Sequence, residues 1–236
     1  MRATLAEKRE VAKGTLLCIF DLGAEEVDFR PGQYFFVTLL DPPYSDEKGP
    51  RRHITVVTSP TERGVVGLCT RLRDTAFKRS LAELSLGAEV DVEPPRGRFV
   101  LPEDTSQPYV FVAGGIGITP FRSMLRYAAD EGLPYRVTLL YSNRTRAETP
   151  FLDELEELRS QLPELRVVFT MTDEPEWEGE RRRIDAEFFR DHVSDLIESA
   201  TFMVAGPPPM VSAMDEELST AGVSAERVIA EKFSGY

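Results

Sequence analysis

The chain has 236 residues, enough for one large domain or two of ordinary size, and 42% of them are hydrophobic. Its net charge of −12 argues against a nucleic-acid binder, because that role needs clustered Lys and Arg to displace counterions. The two cysteines, Cys18 and Cys69, are too few for a disulfide scaffold, a four-cysteine zinc site or a four-cysteine iron–sulfur cluster.

The sequence carries no signal for a membrane or for export. No apolar run approaches the roughly 20 residues of a membrane span, and the first residues lack a signal-like apolar stretch. Two histidines, His53 and His192, do not suggest a metal cluster. We therefore expect a soluble, cytoplasmic protein of two domains, with no membrane insertion and no metal site.

The first part of the chain shows the pattern of short strands. Apolar stretches with period-2 alternation or β-branched clusters are separated by turn residues such as Pro31-Gly32. This pattern predicts a β-barrel or a β-sandwich up to residue 103, with a helix over residues 75–84. The predicted strands cover residues 15–20, 34–40, 54–58, 65–70 and 90–92.

After a polar, proline-bounded stretch at residues 101–108, strands and helices alternate. Such alternation predicts a parallel sheet covered by helices on both faces. The predicted strands cover residues 109–113, 137–141, 166–171 and 201–204. The predicted helices cover residues 120–130, 151–162, 185–193 and 210–221.

The clearest chemical signal is a glycine-rich turn between a predicted strand and a predicted helix. The strand runs into Gly114, Gly115 and Gly117, and we expect Thr119 as N-cap and Pro120 as the first helical residue. Glycines allow close backbone approach, and a helix N-terminus offers unpaired N–H groups, so the turn can hold a pyrophosphate. The spacing differs from G-x-G-x-x-G, and a tight turn without a ligand is the alternative.

A second turn of this kind is Gly206-Pro207-Pro208-Pro209-Met210, again at the end of a predicted strand. In an open parallel sheet, ligands bind beyond the carboxyl ends of the strands. Two strand-end turns in one domain therefore suggest a single crevice. Capping of a helix by proline is the alternative for this segment.

Two further motifs lie in the first half. Arg52 and Thr55 lie close together at a predicted strand. The guanidinium group of Arg52 can bind the phosphate of a ligand, and the hydroxyl group of Thr55 can hydrogen-bond a ring of that ligand. Thr70 ends another strand, and the helix after it is capped by Asp74 or Thr75, which makes a second anion site. A surface strand and an ordinary capped helix are the alternatives.

In this order the four motifs resemble the ferredoxin–NADP reductase family, as do Pro31-Gly32-Gln33-Tyr34 and the ending Phe233-Ser234-Gly235-Tyr236. The resemblance covers essentially the whole chain. It implies an antiparallel β-barrel flavin domain over residues 1–103, which usually holds FAD. It also implies a parallel-sheet α/β nucleotide-binding domain over residues 104–236, which holds NADH or NADPH.

The resemblance assigns roles to the barrel residues. Arg52 would pair with a flavin phosphate, and Thr55 would hydrogen-bond the isoalloxazine ring near N5. The segment from Thr70 to Thr75 would contact the ribityl and pyrophosphate groups. The flavin-binding candidates are Arg52, His53, Ile54, Thr55, Thr70, Arg71, Arg73 and Thr75.

In the second domain, residues 114–119 would carry the pyrophosphate of the nicotinamide nucleotide, and residues 206–210 would border its nicotinamide. Glu231 is a proton relay or a solvated side chain, and Tyr236 or Phe233 would cover the flavin ring. The catalytic candidates are Thr55, Glu231 and Tyr236. The nucleotide-binding candidates are Gly114, Gly115, Gly117, Ile118, Thr119, Ser142, Asn143, Arg144, Gly206, Pro207, Pro208 and Met210.

The sequence departs from the family pattern in three ways. Ile54 stands where the flavin motif has an aromatic residue, so either the flavin's affinity or potential differs or His53 compensates for the lost ring. Ala205 stands where the family often has a cysteine that helps to align the nicotinamide. The chain also has no cysteines for the plant-type iron–sulfur domain that many bacterial relatives append, so we expect its electrons to leave to a separate partner.

The favoured function is an NAD(P)H-dependent flavin oxidoreductase that reduces bound FAD and passes electrons to an acceptor such as a ferredoxin or an oxygenase component. One alternative is a flavin- or nucleotide-binding regulatory module with little turnover, which Ile54 and Ala205 would suit. Another is a reductase of free flavin or ferric chelates. Arg144, Arg146 and residues 181–183 are solvated charges or cations for the 2′-phosphate of NADPH, so the nucleotide preference stays open.

Overall fold

The structure is a computed structural model that describes residues 1–233. Its first half contains β1 (Arg2–Ala12), β2 (Thr15–Asp21), β3 (Tyr34–Leu39), β4 (Arg51–Thr55), β5 (Val65–Arg71), α1 (Ala76–Glu83) and β6 (Glu89–Val92). The six strands pair antiparallel in the order β4-β3-β6-β1-β2-β5. A further bridge between Val56 and Leu68 joins the two ends of this order, which closes the sheet into a barrel.

Strand β3 shows why this part of the chain folds as a barrel. Phe35, Val37 and Leu39 are buried, whereas the residues that alternate with them, Tyr34, Phe36 and Thr38, are half-buried. Successive side chains of a strand point to opposite faces, so one face fills the barrel and the other lies outside. The period-2 pattern of the sequence therefore corresponds to the inner and outer faces of the barrel.

Helix α1 covers one end of the barrel, close to the predicted range. Its N-cap is Thr75, whose hydroxyl group accepts a hydrogen bond from the backbone N–H of Lys78. Phe77 and Leu81 on its inner side belong to the barrel core. Of the two caps considered from the sequence, the structure selects Thr75.

The second half contains a five-stranded parallel sheet. Its elements are β7 (Pro108–Gly114), α2 (Ile118–Asp130), β8 (Arg136–Asn143), α3 (Leu152–Gln161), β9 (Leu165–Met171), α4 (Ala186–Val193), β10 (Thr201–Gly206), α5 (Pro208–Ala221) and β11 (Val228–Lys232). The strands pair in the order β11-β10-β7-β8-β9. The edge strand β11 was absent from the predicted strands.

Helices cover both faces of this sheet, as predicted. Helices α2 and α3 pack on the face that carries Phe111, and α4 and α5 pack on the face that carries Val110 and Val112. A strand covered on both faces is apolar throughout, which explains the continuous apolar run of β7. The fold class expected from the sequence is confirmed.

The predicted start of α2 is wrong. The helix begins at Ile118 with Gly117 as its cap, not at Pro120 with Thr119 as N-cap. A single 3-10 turn over Gly115–Gly117 continues directly into the helix, so the backbone already winds before Thr119 is reached. The Thr119 hydroxyl group instead donates to the carbonyl oxygen of Ile116 at 3.2 Å.

One of the buried clusters contains residues of both halves. Val57 and Leu101 of the barrel half belong to the same buried cluster as Phe121 and Met124 of α2. The boundary expected after residue 103 falls in the irregular segment between β6 and β7 and stays a prediction. No helix within residues 1–233 is long and apolar enough to span a bilayer.

Arg122 on α2 ties the two halves together. Its Nη1 donates to the Val57 carbonyl oxygen and to Glu62 Oε2, both at 2.8 Å, and its Nε donates to Glu154 Oε1 at 3.0 Å. The side chain is only 13% exposed, so its charge depends on these partners. The two carboxylates raise the pKa of Arg122 against the lowering effect of its burial.

We predict that Arg122→Ala lowers the free energy of unfolding by about 2 to 3 kcal/mol, because it leaves two carboxylates and a carbonyl group without their cation. The matched control is Arg159→Ala, which breaks an exposed pair with Glu156 on α3 and should cost about 0.5 kcal/mol or less. Chemical denaturation of both variants checks this. Equal losses of unfolding free energy in the two variants would show that the Arg122 cluster stabilises the protein no more than an exposed ion pair does.

Candidate functional site

A cleft of about 610 Å³ lies between the barrel and the parallel sheet. The barrel contributes Ile54, Thr55, Cys69, Thr70, Arg71, Arg73 and Lys78 to its lining. The second half contributes Gly114, Gly115, Ile116, Thr119, Ser142, Asn143, Arg144, Thr172, Pro207, Pro208, Pro209, Met210 and Phe233. The structure thus brings residues of all four motifs to one cavity.

A smaller cavity of about 330 Å³ adjoins the cleft on the barrel side. Ile54, Thr70 and Lys78 line both cavities, so the two share a wall. The remaining lining residues are Asp46, Glu47, Lys48, Arg52, Thr75 and Phe77. Arg52 and Thr75, two of the predicted flavin-binding residues, therefore face this smaller cavity.

The first glycine turn has one open side and one packed side. Gly115 has a φ of +54°, which favours glycine, and apart from its chain neighbours no atom of residues 1–233 lies within 4 Å of where its Cβ would be. A Cβ on Gly117 would lie 2.0 Å from the carbonyl oxygen of Ala205. Gly117 and Ile118 do not line the cleft, so Gly117 serves the close packing of the turn against β10.

The second turn supplies an apolar wall. Pro207 precedes α5, which begins at Pro208, and the Met210 side chain reaches back over the first turn. A Cβ on Gly206 would lie 2.8 Å from Met210 Sδ, and one on Gly114 would lie 3.1 Å from it. Gly206 itself does not line the cleft, and its small size leaves room for this methionine.

Arg52 is held rigidly at the smaller cavity. Its Nη1 donates to the carbonyl oxygens of Lys48, Gly49 and Arg51 at 3.0, 2.8 and 2.8 Å. The carboxylate of Asp46 lies 3.5 Å from Nη2. A guanidinium group fixed in this way keeps its position when an anion binds, which favours binding.

Asn143 at the end of β8 has unused hydrogen-bonding groups. Its side chain is 6% exposed, and within residues 1–233 neither amide atom has a hydrogen-bond partner of good geometry. Its neighbour Tyr141 donates its hydroxyl group to the carbonyl oxygen of Gly115 at 3.0 Å. Burial raises the pKa of Tyr141, and the nearby Asn143 amide lowers this pKa by a smaller amount. A buried amide of this kind is normally satisfied by a ligand or by water.

Two basic residues stand where the cavities meet. Lys78 Nζ donates to the carbonyl oxygen of Arg71 at 2.7 Å, and Arg71 Nη2 pairs with Glu148 Oε1 at 2.6 Å. Burial, with a smaller effect of Arg73, lowers the pKa of Lys78 to about 8. The Lys78 side chain was not among the predicted site residues, although it lies three residues before Leu81 on the apolar stripe of α1.

Cys69 also lines the cleft and was missed from the sequence. Its side chain is buried, and this burial raises the pKa of the thiol. Cys18, on the neighbouring strand β2, belongs instead to the barrel core. Thr172 also lines the cleft and belongs to none of the four motifs, whereas Ile116 and Pro209 lie within the two glycine turns.

His53 does not line either cavity. Its ring packs against Tyr34 and Phe36 on the outer face of the barrel, with centroid distances of 5.3 and 5.8 Å. Partial burial, followed by the charge of Arg51, lowers the pKa of His53. Ile54 points to the opposite side of β4, so this histidine does not take the place of the missing aromatic ring.

The C-terminal candidates differ in position. Glu231 lies on β11 beside Ala205, is half-buried and does not line the cleft, and burial raises its pKa. Phe233 does line the cleft, and its N–H donates to the Gly206 carbonyl oxygen at 3.0 Å. Tyr236 lies outside the described residues.

The lining residues fit a flavin dinucleotide and a pyridine nucleotide. Arginines, two lysines and threonine hydroxyl groups line the barrel side, beside the carboxylates of Asp46 and Glu47, and these donors suit phosphates. The Asn143 amide, which has no hydrogen-bond partner of good geometry among residues 1–233, and the open side of Gly115 lie on the opposite side. The two cavities together have the size expected of a ligand site.

Comparison with known proteins assigns both halves. The chain matches the oxidoreductase FAD-binding domain over residues 2–101 and the oxidoreductase NAD-binding domain over residues 111–216. It is 29% identical over 150 residues to an NADH-cytochrome b5 reductase 1 of Candida glabrata, with 62% of this chain and 53% of the relative covered.

Two further proteins support the same assignment. The chain is 28% identical over 218 residues to the reductase component of propane 2-monooxygenase of Rhodococcus jostii (strain RHA1), covering 88% of this chain and 56% of that protein. It therefore spans a little over half the length of these two curated relatives. The crystal structure of a cytochrome P450 reductase of Amycolatopsis matches with a TM-score of 0.84 and 27% identity, over 99% of this chain and 70% of that one. With two matched domains and this fold, the chain belongs to the ferredoxin–NADP reductase family, as an FAD-binding barrel followed by an NAD-binding domain.

Proposed function

We propose that the protein is an NAD(P)H-dependent flavin oxidoreductase that passes a hydride from nicotinamide to bound FAD and then electrons to a separate acceptor. The observation that supports this is the single cleft between the flavin motifs of the barrel and the strand-end turns of the parallel sheet. Hydride transfer needs two rings held in contact, and a shared cavity with two different walls meets that need. Bound FAD supplies hydride and one-electron chemistry that amino-acid side chains do not provide.

The barrel wall binds and orients the flavin. Arg52 and Thr75 would hold phosphate oxygens in the smaller cavity, where the guanidinium group is already fixed by three carbonyl oxygens. Thr55, which lines the larger cavity, places a hydroxyl group next to the ring site. Ile54 presents an apolar surface to both cavities, so it positions a ring by packing alone.

The opposite wall binds the pyridine nucleotide. The open side of Gly115 gives a pyrophosphate room to approach, and the positive end of the α2 dipole, where Thr119 lines the cleft, would attract it. Met210 and Pro208 form an apolar surface for a nicotinamide ring. Phe233, which is buried and held to Gly206 by its backbone, would exclude water from the space between the two rings.

We infer that the electron acceptor is a separate protein such as a ferredoxin or an oxygenase component. The propane 2-monooxygenase relative is by name a reductase component, and the Candida glabrata relative is named for reduction of cytochrome b5. A soluble location inside the cell suits such a partner and is part of the same proposal.

The pairing of Arg144 supports a preference for NADH. Arg144 lines the cleft at the end of β8, and its Nη2 lies 2.7 Å from Asp173 Oδ2. In dinucleotide sites a carboxylate suits the free 2′-hydroxyl group of NADH, whereas a free arginine accommodates the 2′-phosphate of NADPH. Here the carboxylate occupies the arginine and would repel a 2′-phosphate.

We predict that the purified protein carries flavin absorbance, or regains it with added FAD, and that anaerobic mixing with NADH bleaches it within seconds. Steady-state turnover with a dye acceptor and each pyridine nucleotide completes the measurement. Tight binding of flavin without bleaching would support the regulatory module instead. Flavin that exchanges during turnover would support a free-flavin reductase, and the lack of any flavin binding would contradict the proposal.

We also predict that Asp173→Asn raises kcat/KM for NADPH about tenfold relative to NADH, because it frees Arg144 and removes a repelling charge. Glu156→Gln on the exposed side of α3 is the matched control, since it also removes one carboxylate but lies on no cavity wall. Initial rates with both nucleotides check this. An unchanged ratio in Asp173→Asn would show that this pair does not select the nucleotide.

A further inference from the structure

Lys78 occupies an unusual position for a lysine. It lies in the first turn of α1, and only 4% of the residue is exposed. Lysine is rarely buried to this extent, because its ammonium group loses its hydration. The side chain lines both cavities, so its charge lies at the wall that they share.

The groups around Lys78 make this wall electropositive. Arg71 and Arg73 face it from the end of β5, and Arg52 faces it across the smaller cavity from β4. Among residues 1–233, the acidic groups that line the smaller cavity are Asp46 and Glu47 in the loop before β4, and Asp46 lies beside Arg52.

Other acidic groups near this wall are already engaged. Glu148 is paired with Arg71 at 2.6 Å, and Asp74 lies 3.7 Å from Arg79, which stacks on Tyr44. A concentration of cations inside a cavity raises the local affinity for anions.

We propose that Lys78 is a phosphate ligand of the flavin, whose ammonium group binds the phosphate that follows the ribityl chain where the two cavities meet. The inference rests on the proposed function, since it takes the bound group to be a flavin nucleotide. A dinucleotide that extends from the larger cavity into the smaller one must carry its diphosphate past Ile54, Thr70 and Lys78. A compact ammonium charge at that point neutralises the phosphate directly, next to the guanidinium group of Arg52.

The proposal has a consequence for pH. Without flavin, burial and Arg73 lower the pKa of Lys78 to about 8, and contact with a phosphate raises it. Flavin nucleotide binding then takes up a proton above pH 8. The affinity for the flavin nucleotide therefore has its full value below pH 8. It falls by about tenfold per pH unit as the pH rises from 8 towards the raised pKa of Lys78 in the bound state.

The test is a titration of the flavin-free full chain with added flavin, monitored by flavin fluorescence at pH values between 7 and 9.5. The probes are FAD, FMN and riboflavin, the last of which lacks a phosphate. The variants are Lys78→Met, which removes the charge, and Lys78→Arg, which keeps it at every pH used. Lys13→Met on the exposed turn between β1 and β2 is the matched control.

We expect Lys78→Met to weaken FAD and FMN about tenfold to a hundredfold at pH 7 and to leave riboflavin within about twofold. The wild-type affinity for FAD should fall above pH 8, whereas that of Lys78→Arg should stay level. Lys13→Met should behave as the wild type. If Lys78→Met does not fold, the level pH profile of Lys78→Arg still decides the question.

Three results would overturn the proposal. Lys78→Met could bind FAD as tightly as the wild type, riboflavin could weaken as much as FAD, or Lys78→Arg could keep the wild-type decline above pH 8. Failure of the wild-type chain to bind any flavin would instead refute the proposed function. The two failures are therefore distinguishable.

Discussion

The cleft keeps its shape because helix α2 is bonded to both halves of the molecule. Arg122 connects the Val57 carbonyl group and Glu62 with Glu154, and the neighbouring Ser123 donates to the Thr58 carbonyl oxygen at 2.6 Å. The same helix begins at the glycine turn that lines the cleft. A mostly buried cation bonded to two carboxylates has few alternative arrangements. The Arg122 cluster therefore fixes the distance between the two walls of the cleft.

The glycine turn shows how one short segment serves a ligand and the fold together. Among residues 1–233, Gly115 has open space beside it, which the proposed function assigns to a pyrophosphate, whereas Gly117 faces the carbonyl group of Ala205. Ala205 is fully buried between β7 and β11, so the departure from cysteine at this position places a small apolar side chain inside the sheet. Packing of this turn against β10 brings Met210 over it and completes the apolar wall.

The sequence was sufficient for the fold class and for the convergence of the motifs, because both follow from periodicity and from where parallel strands end. The sequence could not show that Gly117 packs against the sheet while Gly115 stays open, because this difference depends on how closely β10 approaches the turn. It also could not place His53, whose ring turns outward with the pleat of β4, or Lys78, whose burial depends on how α1 docks. The start of α2 was missed because a 3-10 turn replaced the expected threonine cap.

The positions of the two cysteines have a chemical consequence. Cys18 and Cys69 lie on neighbouring strands but belong to different buried clusters, one inside the barrel and one beside the cleft. Burial raises the pKa of Cys18 to about 12 and that of Cys69 as well, so both sulfur atoms stay protonated at neutral pH and are weak nucleophiles. Oxidation of Cys69 to a sulfenic acid or a mixed disulfide, which starts from the thiolate, is therefore disfavoured although the residue lines the cleft.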